Sequence, residues 1–90
     1  MNKTLIIVEN HNDLRDISEI IQDKMGRLNS FTQNTTDIRI KNENSYVLIT
    51  HKEEGIREYN FNNVVDLRHS TLVKEWFSDK ILELAKNISI

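Results

Sequence analysis

The sequence predicts a single small α+β domain over residues 1–90, ordered β-α-β-β-β-(β)-α, with a sheet and two amphipathic helices packed mainly on one of its faces. Three observations carry this. Ser70 to Ile88 sets Leu72, Val73, Trp76, Phe77, Ile81, Leu84, Ala85 and Ile88 at helical spacing on one face. Leu14, Ile17, Ile20, Ile21, Met25 and Leu28 form a second face of the same kind. Between the two lie short apolar or alternating runs separated by clusters of turn residues.

Thr4 to Val8 is apolar without alternation, the pattern of an interior strand covered on both sides, often with parallel neighbours. Asn10-His11-Asn12-Asp13 supplies turn and N-cap residues, and a helix runs from there to about Met25. Gly26 is its natural C-cap. Asp13 and Asp16 near its start, and Lys24 and Arg27 near its end, complement the helix dipole. Asn29 to Thr35 is polar and reads as a loop. Thr36 to Lys41 alternates, with Ile38 and Ile40 on the inner side. After the Asn42-Glu43-Asn44 turn, Tyr46 to Ile49 is apolar on both faces, and Glu53-Glu54-Gly55 turns the chain again. Ile56 to Phe61 reads as a strand, and Val64 to Leu67 as a short strand or an extended lead into the last helix. Ser70 or Thr71 caps that helix, whose Trp76 is expected in the core.

Composition narrows the class. Ninety residues lie near the lower limit for an unstapled apolar core. There is no cysteine, so disulfides and thiolate metal sites are out, which fits a reducing compartment. The net charge of -2 speaks against a generic nucleic-acid binder, which would be basic. The apolar run from Leu5 to Val8 is too short for a signal-peptide core or a membrane span, so a cytoplasmic protein is expected. Abundant Asn and Ile without proline is a composition common in AT-rich bacterial and phage genomes.

Possible chemistry begins with Glu9 and Asp13, a carboxylate ending a buried strand and another at a helix start. These first residues look like the opening of a response-regulator receiver or of a toprim nuclease domain, which would imply a Mg²⁺-dependent site. A receiver next needs an aspartate ending a middle strand and a later lysine. A toprim domain needs Asp-x-Asp, where Asp66-Leu67-Arg68 stands. Both patterns fail, so a strand-end turn and a capping residue are expected, without a metal or cofactor. His11, His51 and His69 sit at element ends. With no cysteine and no His-x₃-His pair, solvated loop histidines are expected rather than a zinc site or a general base. The α-β-β-β-α portion resembles double-stranded-RNA-binding domains, but their lysine cluster is replaced by Arg68-His69-Ser70-Thr71-Leu72.

Two surfaces remain. Asp16, Glu19 and Asp23 make an acidic stripe on the first helix, and Glu75, Asp79 and Glu83 make one on the last. They suit approach to a basic partner. The uncovered face of the sheet is expected to carry Arg39, Lys41, Tyr46, Ile49, Arg57 and Tyr59, and to serve a homodimer or a protein partner. The expected function is a small intracellular protein–protein interaction or inhibitor module, not an enzyme, of the kind encoded by phages or other mobile elements; anti-CRISPR proteins share its size and character. The alternatives are a nucleic-acid-binding or regulatory domain using the sheet face, and a degenerate toprim-like or receiver-like Mg²⁺ domain.

Overall fold

The computed structural model describes residues 2–56 and 60–68. They form a five-stranded mixed sheet with one long helix, an α+β arrangement. The elements are β1 (Asn2–Ile7), α1 (His11–Met25), β2 (Ser30–Gln33), β3 (Asp37–Lys41), β4 (Ser45–Thr50), a 3₁₀ turn (Glu53–Gly55) and β5 (Asn63–Asp66). The strand order is β2-β3-β4-β1-β5. β1 runs parallel to both its neighbours, and β2, β3 and β4 form an antiparallel meander. The expected Ser70–Ile88 helix, with Trp76, lies outside the described residues.

β1 occupies the place its composition demands. Leu5, Ile6, Ile7 and Val8 are all buried, alternating between the two faces of an interior strand. On one face, Ile6 and Val8 meet Leu14, Ile17, Ile21 and Met25 of α1 and Ile38, Ile40, Val47 and Ile49 of the meander. On the other, Leu5, Ile7 and Leu48 form a smaller cluster with Tyr46, Ile56 and Phe61 packed against it.

The connections explain that second cluster. From β1 the chain crosses the first face as α1 and reaches β4 through the meander. From β4 it must pass β1 again to reach β5, and it does so across the opposite face, where Ile56 and Phe61 lie on Leu5, Ile7 and Leu48. Moving one way over one face and back over the other keeps both crossovers of one hand, as a twisted parallel sheet requires. The backbone of Asn62 donates to Lys3 O at 2.8 Å, and Lys3 N–H donates to Asn62 Oδ1 at 2.8 Å, which fixes the end of the second crossover.

Two expectations are corrected. Asn29–Thr35 contains strand β2 rather than only loop. The stretch Ile56–Phe61 does not open or close as a strand: Ile56, Asn60 and Phe61 belong to the crossover, and Asn60 has a φ of +68°. Asparagine tolerates that conformation better than most residues, but it ends extended structure.

α1 is built as its sequence suggests. Asn10 is extended, and its side-chain oxygen accepts from Asp13 N–H at 3.0 Å. Gly26 closes the helix at φ +68°, ψ -130°, a combination cheap only for glycine, with its N–H donating to Gln22 O. Replacing Asn10 with alanine orphans the amide of Asp13 and is expected to cost about 1 kcal/mol, read as a lower melting temperature in a circular-dichroism scan. A second polar anchor lies at the far end. Asn42 is buried, donates through Nδ2 to Met25 O at 3.1 Å, and accepts at Oδ1 from the amides of Asn44 and Ser45 at 2.9 and 2.7 Å. It thus forms the β3–β4 turn and caps the last turn of α1 together.

Candidate interaction surfaces

The two sides of the sheet separate the residues expected on its open face. Cross-strand register puts Arg39 opposite Leu48, Lys41 opposite Tyr46, and Lys3 opposite Tyr46 on the other side. Arg39, Lys41 and Tyr46 therefore share the face away from α1. Ile49 does not: it faces the helix, is fully buried, and belongs to the main core. Tyr46 to Ile49 is apolar on both faces, so its parity could not be assigned before the register was known. Arg57 and Tyr59 lie outside the described residues, as do Glu75, Asp79 and Glu83.

That face is not the open apolar platform the sequence suggests. Leu48 is fully buried, and Leu5 and Ile7 nearly so. Two of its cations, Lys3 and Arg39, are engaged too. Lys3 Nζ sits 5.6 Å from the Tyr46 ring centroid and 5.3 Å from that of Phe61, between two aromatic faces. Arg39 bonds Asp37 at 2.6 Å. Among the described residues, the larger apolar side chains left exposed are Val64 on β5 and Phe31 on β2.

The carboxyl ends of β1, β4 and β5 converge at one edge, where open α/β sheets commonly hold ligands. His11, from the start of α1, and His51, just past β4, meet there edge to face with ring centroids 6.1 Å apart. Both rings contact the carbonyl of Thr35, His11 through Nδ1 at 3.1 Å and His51 through Nε2 at 3.0 Å. A carbonyl only accepts, so each of those nitrogens carries its hydrogen. The next carbonyl, Thr36 O, accepts from Thr50 Oγ1 at 3.1 Å and from His51 N–H at 3.2 Å. The Asn34-Thr35-Thr36 turn lacks glycine. Asn34 Nδ2 donates to Asp37 Oδ1 at 3.0 Å, and the groups of His11, Thr50 and His51 add the hydrogen bonds that hold its threonine carbonyls. The two histidines remain open to solvent, as expected, but they are not separate: they meet on one carbonyl of a turn. An open, shallow, polar hollow lined by His11, Gln33, Asn34 and Thr35 lies beside them.

At the same edge, Arg68 is gripped by Asp66 through Nε at 2.9 Å and Nη2 at 2.6 Å, and by Glu53 through Nη1 at 2.9 Å. Its hydrogen bonding to the Asp66 carboxylate first, and then the nearby charges of Asp66 and Glu53, hold its guanidinium protonated beyond its already high ordinary range. Among the described residues no group of three or more histidine or acidic side chains is placed to hold a metal ion. Also among them, no helix is long and apolar enough to cross a membrane.

Strand β2 is the surface the sequence reading missed. All four of its residues are exposed, and Phe31 keeps 43% of its surface in contact with solvent. The hairpin pairs Ser30 with Lys41, Phe31 with Ile40, Thr32 with Arg39 and Gln33 with Ile38. Asn34 N–H donates to Asp37 O at 2.8 Å, so alternate residues back along the strand, Thr32 and Ser30, direct their amides to β3. The N–H and C=O groups of Phe31 and Gln33 then point outward. Ser-Phe-Thr-Gln contains two good strand formers, Phe31 and Thr32, a signal that its polar neighbours and the absence of a glycine turn conceal. On α1, Asp16, Glu19 and Asp23 are exposed, with Arg15 reaching Glu19 at 3.6 Å. Comparison of the chain with protein-family models, with curated proteins and with solved structures finds no match.

Proposed function

We propose that this domain is a non-enzymatic protein-binding module that works inside the cell, in the manner of the small inhibitors that phages and other mobile elements direct at host machinery. The observation that supports this reading is the outer edge of β2, a strand whose residues are all exposed and whose Phe31 and Gln33 offer backbone donors and acceptors outward. An added strand satisfies such groups directly, and a neighbouring side chain such as Phe31 supplies apolar contact. The exposed acids of α1 add long-range attraction to a basic surface.

The test compares tagged wild-type protein with a Gln33→Pro variant in affinity purification from cell lysate. Proline at that position removes an outward N–H and leaves the bonds of Thr32 and Asn34 to β3 in place. At least one protein, the untagged domain itself included, should be retained by the wild type and lost by the variant. Identical sets of captured proteins, or capture only of nucleic acid released by modest salt, would overturn the reading.

A further inference from the structure

Six consecutive residues, Asn29 to Asn34, line the sheet edge without a charge or a proline. Edge strands in monomers are ordinarily guarded by lysine, proline or inward charges, and β2 has none of these along its length. A charge-free strand is what contact across a two-fold axis needs, because each residue near the axis meets its own copy. We propose that β2 pairs antiparallel with β2 of a second copy of this chain, joining two five-stranded sheets into one; the inference rests on the reading of β2 as the docking edge.

The pairing is self-complementary. With Thr32 opposite Thr32 on the axis, Phe31 of one copy exchanges both backbone hydrogen bonds with Gln33 of the other, and the reverse. Ser30 then faces Asn34, again without charge. The two Phe31 rings stand on the same face at the diagonal positions, about 7–8 Å apart at the backbone, a separation aromatic side chains span. Direction is set by the flanks. Arg27 and Lys41 lie at the same end of β2, so antiparallel pairing keeps the two basic ends apart, whereas parallel pairing would bring them together.

Two measurements on the full chain test this. Sedimentation over a concentration series should show the 10.6 kDa chain moving toward twice its mass, and Gln33→Pro or Phe31→Lys should hold it at one chain with unchanged circular dichroism. The chain has no cysteine, so a single introduced one reports its own neighbour. Directly opposed residues of a non-hydrogen-bonded pair lie within disulfide reach. Thr32→Cys should therefore oxidise readily to a covalent dimer, and Ser30→Cys at least tenfold more slowly. A wild-type monomer at all concentrations, or equal oxidation of the two cysteine variants, overturns the proposal. If the monomer nevertheless captures another protein that Gln33→Pro loses, the docking edge stands and only the identity of its occupant falls. If Gln33→Pro changes neither, both fall.

Discussion

Replacing Ile49 with alanine is expected to lower stability by about 2–5 kcal/mol, since it removes buried methyl groups and leaves a cavity that the helix above cannot fill. Ile49 is fully buried among Ile38, Ile40, Val47 and the apolar side of α1. For so small a domain this is a large part of the whole, because native stability seldom exceeds about 5–15 kcal/mol. Urea denaturation should show an earlier midpoint with an unchanged slope. Val64→Ala is the control: that side chain is 61% exposed, and its loss should move the midpoint little. If Ile49→Ala behaved like Val64→Ala, Ile49 would lie on a surface and the assignment of the two sheet faces would be reversed.

The second large effect is expected at Asn42. Alanine there deprives the amides of Asn44 and Ser45 and the carbonyl of Met25 of their partners in one step. Each buried polar group left unpaired costs about 1–3 kcal/mol, so the sum is about 3 kcal/mol or more where water does not replace the side chain. Asp is the informative alternative. It keeps the acceptor for the two amides but turns a donor toward Met25 O into a second acceptor, so Asn42→Asp should recover part of the loss and never all of it. Amide exchange near the end of α1 and in the β3–β4 turn should quicken together, because one side chain holds both.

How much of this could be read in advance depended on whether local chemistry decided the outcome. Asn10 and Gly26 bound α1 because capping is a property of a few adjacent residues. The unbroken apolar run of β1 signals a strand buried on both sides, and it is an interior strand with parallel neighbours. β2 escaped notice because three of its four side chains are polar and its turn is held in part from afar, by His11 and His51 on Thr35 O. Nothing in the spacing of those histidines shows that they share an acceptor. Ile56 and Phe61 suggested a strand because they are apolar. They are half-buried for another reason, as the part of the crossover lying over Leu48. The candidate surface shifted accordingly, from the face carrying Arg39, Lys41 and Tyr46 to the outer edge of β2. A covered face can be inferred only once the path of the second connection is known.

The position of β1 between β4 and β5 also governs the order in which the domain can assemble. Its neighbours lie far downstream: Lys3 sits opposite Tyr46 and Leu5 opposite Val64. The β2–β3–β4 meander closes through short turns and can form early, whereas both edges of β1 must wait for long loops to close. During synthesis, Leu5 to Val8 leaves the ribosome well before any strand that can pair with it. In that interval the strand is apolar on both sides with unpaired backbone, the condition under which chains associate wrongly. Folding should therefore be slow for a chain of this length, and a fragment ending before Ser45 should aggregate rather than fold.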